Sequence, residues 1–245
     1  MTWPKTKIIL AALAVLVLAA AMTLFLRWLL NPQRVALAKG ERLVAKNLAA
    51  PVDMTDNYQT PASSFSRIKQ FPAWASVPIG FQTFDGVPVD IEGMICLWGG
   101  GNAKGGLVFP EQLEGIKIGG KFETLYVYHS SFYASPHGTP VYDIVFRYDD
   151  GTSATNQILY GNDISDWYAR RGKFSKPTDP RSAIAWTGIA DTGKSKIPLQ
   201  FFLTAVENPQ PDTTVATIDL YSCKSQTAAC IHAMTTGQTG LMQKK

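Results

Sequence analysis

The stretch that decides the fold class is Val141–Tyr160, with the sequence VYDIVFRY, then DDGT, then SATNQILY. Two segments with a strand-like period of two, Val141–Tyr148 and Ser153–Tyr160, flank the short link Asp149–Thr152. An Asp-Gly step between two such segments is typical of a tight β-hairpin turn. The stretch therefore predicts two antiparallel strands that are neighbours in a sheet.

The same period extends outward from this hairpin, from about residue 79 to residue 235. Short apolar or alternating segments are separated by Gly, Pro and Asp, and no helical period lasts longer than a turn or two. Strands that follow one another without intervening helices favour an antiparallel sandwich or barrel over a parallel α/β sheet. We find no internal repeat, so propellers and solenoids are not expected. The predicted strands are, besides the hairpin, Val89–Trp98, Phe122–His129, Ala183–Ile189, Pro198–Val206, Val215–Ser222 and Cys230–Thr235.

Charge is distributed unevenly along the 245 residues. The chain carries a net charge of +4, but residues 1–46 hold seven basic residues and one acid, so the remaining residues are net negative at −2. The body of the chain therefore lacks the basic surface that binds a phosphate backbone, and we expect no nucleic-acid partner. Three cysteines are too few for a disulfide scaffold.

The N-terminus carries the clearest targeting signal. Ile8–Leu26 is an unbroken run of 19 uncharged residues, and apolar residues continue to Leu30. A helix of this length crosses a hydrocarbon core of roughly 30 Å. A cleaved secretory signal is the alternative, but its apolar core is shorter and ends in small residues, whereas this run ends in Leu24, Phe25 and Leu26. We expect a single transmembrane anchor at residues 8–30 in the lipid bilayer.

The orientation of this anchor rests on the body of the chain. Lys5 and Lys7 favour a cytoplasmic N-terminus, while five basic residues between 27 and 46 favour the opposite orientation. A turn-rich β domain with a pair of cysteines near its C-terminus is typical of an exported protein. We therefore expect the domain outside the cytoplasm. The predicted organisation is an anchor at 1–30, a partly helical stalk at 31–78, a β-sandwich at 79–235 and a tail at 236–245.

Six segments have the order of motifs of a known fold. The segments are Phe84–Ile91 (FDGVPVDI), Gly115–His129 (GIKIGGKFETLYVYH), Tyr148–Thr152 (YDDGT), Tyr160–Trp167 (YGNDISDW), Ala205–Pro209 (AVENP) and Ile218–Ser222 (IDLYS). In these segments the chain resembles bacterial exported β-sandwich domains of the galactose-binding-like type, related to the NPCBM-like carbohydrate-binding module family found beside glycosidases. The resemblance covers roughly residues 79–235 and implies an antiparallel jelly-roll sandwich.

No motif predicts catalysis or a cofactor. The glycine-rich segment Gly99–Gly106 has Gly106 where a phosphate-binding loop needs lysine, so a mobile connection is favoured. His129, His137 and His232 are scattered, and no His/Cys spacing fits a zinc site. A Gly-x-Ser-x-Gly elbow is also lacking. We expect no catalytic site, no cofactor and no metal.

Aromatic residues concentrate near the ends of predicted strands. Sugars present apolar C–H faces and many hydroxyl groups, so a site for them needs flat rings beside short polar side chains. Trp167 is the leading ring because indole has the largest face and a donor at its edge. The alternative is that these rings fill the core or fasten the loop to it. The candidate ligand-binding residues are Trp167, Asp166, Asn162, Tyr160, His129 and Tyr133.

The cysteines give a further expectation. Cys223 and Cys230 lie seven residues apart near the C-terminus, and an exported compartment allows a disulfide between them. Cys96 lies in an apolar strand and is expected to remain a buried free thiol.

Two functions remain open from the sequence. The first is a membrane-anchored, non-catalytic binding or sensing domain outside the cytoplasm, with carbohydrate as the leading ligand class. The alternative is a structural or assembly protein of the cell envelope that acts through contacts with another protein. An exposed aromatic pocket with polar neighbours would favour the first function, and a broad apolar face without a cleft would favour the second.

Overall fold

A computed structural model describes residues 49–61, 76–169, 172–191, 195–240 and 242. The described residues belong to the compact unit Ala49–Lys245. The predicted anchor at 8–30 and most of the predicted stalk lie outside the described residues. Within the described ranges, no helix is long and apolar enough to cross a membrane.

The described residues form mostly antiparallel β-structure, which confirms the predicted all-β class. Its single α-helix within these ranges, α1, is Gly100–Lys104, and a 3₁₀ turn covers Thr55–Asn57. The strands are β1 Ala50–Pro51, β2 Thr60–Pro61, β3 Gly80–Phe84, β4 Val87–Ile91, β5 Gly93–Cys96, β6 Gln112–Gly120, β7 Thr124–Phe132, β8 Pro140–Tyr148, β9 Ser153–Leu159, β10 Ser182–Asp191, β11 Lys196–Glu207, β12 Val215–Ser222 and β13 Ala228–Gly237.

The strands form two main sheets and a hairpin. The large sheet has the order β10-β11-β7-β13-β5-β2, and β1 also pairs with β13. The small sheet has the order β6-β12-β8-β9, and β3 pairs with β4 in a separate hairpin. Strands β1 and β2 precede residue 79, within the range for which the sequence predicts a stalk. The large sheet therefore includes two strands that precede the alternating part of the sequence.

The hairpin predicted at Val141–Tyr160 is present as β8 and β9. Arg147 is opposite Ser153, and the Tyr148 N–H donates to the Thr152 carbonyl at 3.0 Å. Gly151 has φ +86°, a left-handed conformation that glycine adopts without steric cost. The Asp-Gly step thus closes the turn as the sequence indicates.

A first hydrophobic core fills the space between the two sheets. Leu125 and Val127 of β7 belong to it together with Tyr142, Ile144 and Phe146 of β8. These residues point inward from facing strands of the large and small sheets. The sandwich is therefore closed by alternate side chains, as expected for strands with one buried face.

A second core covers the opposite face of the large sheet. Tyr126 and Tyr128 of β7 pack there with Val87 and Val89 of the β3–β4 hairpin. The ring of Phe84 stacks on that of Tyr128 at 4.8 Å. Since the large sheet is covered on both faces, every residue of β7 is buried. This explains why the central strands are more continuously apolar than a two-layer sandwich requires.

The glycine-rich segment forms part of the packed structure. Gly99 precedes α1, and a methyl group on Gly99 would lie 2.4 Å from the backbone nitrogen of Ala228. A methyl group on Gly101 would lie 2.4 Å from Cγ of Tyr133. The segment is therefore packed, with no room for a Cβ atom at Gly99 or Gly101, and is not the mobile connection that the sequence predicts.

The predicted disulfide between Cys223 and Cys230 is wrong. All three cysteines are free thiols, and Cys96 is a buried one, as expected. Cys223 follows β12 of the small sheet, where its Sγ lies 3.6 Å from Oδ1 of Asp143. Cys230 lies on β13 of the large sheet, directly opposite Cys96. The segment between Cys223 and Cys230 crosses from one sheet to the other, which separates the two thiols.

Candidate functional site

Trp167, the leading candidate, lies where β7 and β11 separate. The two strands pair from Glu207 and Thr124 as far as Phe202 and His129. Beyond that point Trp167 lies between the two strands. Its backbone N–H donates to the Ser131 carbonyl at 2.9 Å, and its backbone carbonyl accepts from the Gln200 backbone N–H at 2.8 Å. The segment that carries Trp167 is thus held by the sheet, and its position is fixed by the rigid frame.

Trp167 belongs to a row of rings on the outer face of the large sheet. Its indole meets Phe132 edge to face at 6.5 Å and Tyr168 at 5.2 Å. Phe132 in turn stacks on Phe109 at 6.2 Å. Trp167 and Tyr168 are both half-buried at the border of the second core. The indole therefore contributes to packing and also reaches the surface.

Tyr133 is the most exposed ring among the six candidates, with 45% of its surface accessible. It follows the last residue of β7 and has φ +63°, a conformation rare for a bulky residue. Its carbonyl accepts from Thr227 Oγ1 at 2.8 Å, and Thr227 is also hydrogen-bonded to Ser135 at 2.8 Å. One part of the ring rests against Gly101. These contacts hold an aromatic ring at the surface in a defined orientation.

Tyr160 and Asn162 lie on the neighbouring loop and are half-buried. Tyr160 packs against the first core, and its backbone pairs with the loop that follows Tyr133: the Tyr160 N–H donates to the Thr139 carbonyl at 2.8 Å. The Asn162 carbonyl accepts from the Asp179 N–H at 3.1 Å. The two loops are therefore joined through the backbone at this end of the sandwich.

His129 and Asp166 are placed differently from the other candidates. Both are buried, and the carbonyl of Asp166 accepts from Nε2 of Gln200 at 2.9 Å. Neither side chain can contact a ligand in solution while the fold is closed. The period of two places His129 on the same strand face as Leu125 and Val127, which favours a buried histidine at the strand end, and His129 is buried there.

His129 is part of a buried polar network that the sequence did not predict. Its Nδ1 is 2.7 Å from the Tyr142 hydroxyl, and its Nε2 is 2.9 Å from Oγ1 of Thr204. Thr204 is hydrogen-bonded to Ser182 at 2.8 Å, and Ser182 Oγ donates to Asp163 at 3.1 Å. The network links both sheets through five side chains. No motif marks it, because its members come from four different strands and a loop.

Asp163 and Arg181 end this network in a forked ion pair. Nε and Nη2 of Arg181 donate to the two carboxylate oxygens of Asp163, each at 2.8 Å. The Leu159 N–H donates to Oδ2 at 2.9 Å, so Asp163 also fastens its own turn. Burial opposes ionisation, but the hydrogen bonds from Arg181 and Leu159 outweigh it and lower the pKa of Asp163. The carboxylate is therefore a charged structural group.

The two buried histidines are neutral. Burial lowers the pKa of His129 to about 3, although the charge of Asp163 opposes this shift. Burial also lowers the pKa of His232 to about 3. The His232 ring stacks on Phe201 at 4.5 Å, and its Nε2 lies 3.0 Å from Ser130 Oγ. Both rings serve as hydrogen-bonding parts of the core, because neither has access to a substrate.

The arrangement as a whole favours recognition through rings at the surface over chemistry inside the fold. The polar side chains of the network are shielded, and Tyr133, the most exposed ring among the candidate residues, lies at the start of one of the two connected loops. In the described part of the chain, His, Cys, Asp and Glu form no group of three that could hold a metal ion. Comparison of the chain with protein families, with curated proteins and with solved structures gives no match.

Proposed function

We propose that the chain is a membrane-anchored, non-catalytic binding domain that lies outside the cytoplasm and recognises carbohydrate. The apolar run Ile8–Leu26 supports the anchor. The net negative, turn-rich β body supports export over nucleic-acid binding. We assign the binding surface to Tyr133, Trp167 and Tyr168, together with Tyr160 and Asn162 on the loop that is joined to the one following Tyr133.

The observation that carries this proposal is the exposed ring of Tyr133 on a rigid strand end. Ligand sites on β-sandwiches are formed by loops that a rigid frame holds in place. Tyr133 is 45% exposed, its ring rests against Gly101 of α1, and its backbone carbonyl accepts a hydrogen bond from Thr227. An aromatic ring that is ordered before binding loses little conformational entropy when a sugar stacks on it. Tyr133 is therefore the primary stacking residue of the proposed site.

Trp167 has a second role in this proposal. Its indole is half-buried beside Phe132 and Tyr168, so part of its face remains at the surface. Asp166 and His129 act behind the surface: Asp166 holds Gln200 through its carbonyl, and His129 joins the sheets. We therefore assign these two residues a supporting role, and we no longer propose that they contact the ligand.

We further propose that the sandwich is of the galactose-binding-like, jelly-roll type, as the resemblance implies. The segment Phe84–Ile91 covers the β3–β4 turn, and Gly115–His129 covers most of β6 and β7. Tyr148–Thr152 is the β8–β9 turn. The motifs thus fall at the turns and central strands, where a shared fold would conserve spacing.

A glycan array tests the proposal. The full chain in detergent micelles is compared with Tyr133→Ala and with Ile189→Ala, a control that removes an exposed apolar side chain from β10. We expect the wild-type chain and the control to retain the same glycans, and Tyr133→Ala to bind them at least tenfold more weakly. Absence of any retained glycan, or equal binding by Tyr133→Ala, would contradict the proposal.

A second candidate function is assembly with another protein of the envelope. Phe81 is 70% exposed and Ile79 is 54% exposed, on or beside β3. Within the described residues, β3 pairs with β4 alone, so its other edge offers backbone groups to a partner strand. If this function is correct, Phe81→Ala reduces cross-linking to an envelope protein in intact cells, whereas Tyr133→Ala leaves it unchanged.

A further inference from the structure

Cys96 and Cys230 face each other across neighbouring strands of the large sheet. They are direct partners in the antiparallel register of β5 and β13. The Leu97 N–H donates to the Ala229 carbonyl at 3.0 Å, while the Cys96 N–H points away from β13 to Oε1 of Gln59 at 3.0 Å. Hydrogen-bonded and non-hydrogen-bonded pairs alternate along an antiparallel ladder. The two cysteines therefore form a non-hydrogen-bonded pair.

This position satisfies the geometric requirements of a disulfide. In a non-hydrogen-bonded antiparallel pair the Cα atoms are about 4.5 Å apart, and side chains on the same face approach closely. Disulfides span Cα separations of about 4.4 to 6.8 Å. Both thiols lie in the second core, on the same face of the large sheet. Oxidation needs no change of register or of sheet face.

We propose that Cys96 and Cys230 are an oxidation site at which a cross-strand disulfide joins β5 to β13. The oxidant is a small-molecule disulfide, such as oxidised glutathione, or the disulfide of an oxidoreductase. The thiolate of one cysteine attacks the oxidant disulfide, which forms a mixed disulfide and releases one thiol. The second cysteine displaces the other half of the oxidant. Two electrons and two protons thus pass to the oxidant, which leaves as two thiols.

The bond would strengthen a weakly attached part of the large sheet. The register of β5 against β13 comprises two residue pairs, Cys96 with Cys230 and Ile95 with Ile231. Strand β5 leads directly into α1, which supports Tyr133. A covalent link at Cys96 therefore fixes β5, and through β5 it also restrains α1, which packs against Tyr133. Since both thiols are buried, exchange takes place while the chain folds, before the β3–β4 hairpin covers them.

This inference is independent of the proposed ligand and can be tested by mapping the bond. The full chain in detergent is treated with oxidised glutathione in its native state, and a second sample is refolded from urea in a glutathione redox buffer. Trypsin cleaves after Lys104 and Lys224, so the three cysteines fall on three different peptides. We expect the Cys96 peptide to be linked to the Cys230 peptide in the refolded sample, with Cys223 still reactive to alkylation.

Matched variants connect the bond to stability. The disulfide closes a loop of 133 intervening residues, and we expect the oxidised chain to melt roughly 10 °C above the reduced chain. Cys223→Ala is expected to keep this difference, and Cys96→Ala to abolish it. Absence of the linked peptide from both samples, or a link from Cys230 to Cys223, would overturn the proposal. Peptide mapping of Cys223→Ala decides the question even where Cys96→Ala does not fold.

Discussion

His129 on the large sheet and Tyr142 on the small sheet are joined by a 2.7 Å contact between Nδ1 and the phenol oxygen. Both side chains are fully buried, and the rings meet nearly at right angles. The contact is therefore a polar link through the first hydrophobic core. It restricts how the two sheets can shift relative to each other, because misalignment would leave two buried polar groups unsatisfied.

Removal of the Tyr142 hydroxyl tests this link. Tyr142→Phe keeps the ring but leaves the buried Nδ1 of His129 without its partner. We expect the free energy of unfolding to fall by about 1–3 kcal/mol in urea titrations. Tyr221→Phe removes a hydroxyl from the solvent-facing contact with Arg147 and is expected to cost under about 1 kcal/mol. Equal losses in the two variants would contradict a special role for the buried link.

The buried histidines predict a dependence of stability on pH. The folded pKa of His129 and of His232 is about 3, below the value of about 6.5 in an unfolded chain. The unfolded state thus binds more protons between these values, so stability is complete above about pH 6.5 and is lost as the pH falls toward 3. Each histidine contributes a slope of at most about 1.4 kcal/mol per pH unit.

Variants identify the groups that cause this slope. Urea unfolding of the wild-type chain is measured at intervals from pH 7 to pH 4. His129→Gln and His232→Gln are each expected to reduce the slope, and the exposed His137→Gln to leave it unchanged. A wild-type stability that stays constant over this range would show that the two rings are not buried as neutral groups.

The ion pair between Asp163 and Arg181 predicts a large effect of one substitution. Asp163 is buried and accepts bonds from Arg181, Ser182 and the Leu159 N–H. Asp163→Ala removes the forked partner of a partly buried guanidinium, which keeps the Asp179 carboxylate at 3.6 Å and the Gln157 carbonyl at 2.9 Å. We expect a loss of about 3–5 kcal/mol. Thermal and urea unfolding measure it. The exposed pair Lys224–Glu111 provides the control, since Glu111→Ala should cost under about 1 kcal/mol.

The contact between Gly101 and Tyr133 predicts coupling between packing and binding. A methyl group at Gly101 would overlap the Tyr133 ring, so Gly101→Ala must displace the ring. We expect this variant to lose about 1–3 kcal/mol of stability and to bind glycans more weakly than the wild type. Gly120→Ala is the control, because the nearest atom to its added methyl group is 4.0 Å away. Unchanged glycan binding by Gly101→Ala would show that the Tyr133 ring is not part of the glycan-binding site.

The sequence predicted local features of the fold better than contacts between distant segments. The Asp-Gly step and the flanking period of two identified the β8–β9 hairpin, because turn chemistry and alternation act between near neighbours. The pairing of Cys230 with Cys96 could not be read from spacing, since it depends on which strands become adjacent in the large sheet. The proximity of two cysteines along the chain favoured the wrong partner, Cys223.

In the candidate site, too, the sequence predicted local features and missed those that depend on contacts between distant segments. The position of Trp167 and Tyr133 at strand ends follows from the lengths of the alternating segments. Burial of His129 follows from the strand face that it shares with Leu125 and Val127 of the first core, whereas burial of Asp166 depends on how its segment packs between β7 and β11. In a two-layer sandwich one face of β7 would be exposed to solvent. The third layer, formed by the β3–β4 hairpin and the loops, is a feature of tertiary packing that no local pattern indicates.

Hydrogen exchange measured by mass spectrometry tests whether carbohydrate binds at the end of the sandwich that carries Tyr133 and Trp167. Amide exchange of the full chain in detergent is compared with and without the glycan that the array retains best. We expect the glycan to slow amide exchange in residues 133–139 and 160–169 and to leave exchange in β3 and β4 unchanged. Protection confined to the β3–β4 hairpin, or no protection in either loop, would contradict the proposal that this end of the sandwich binds carbohydrate.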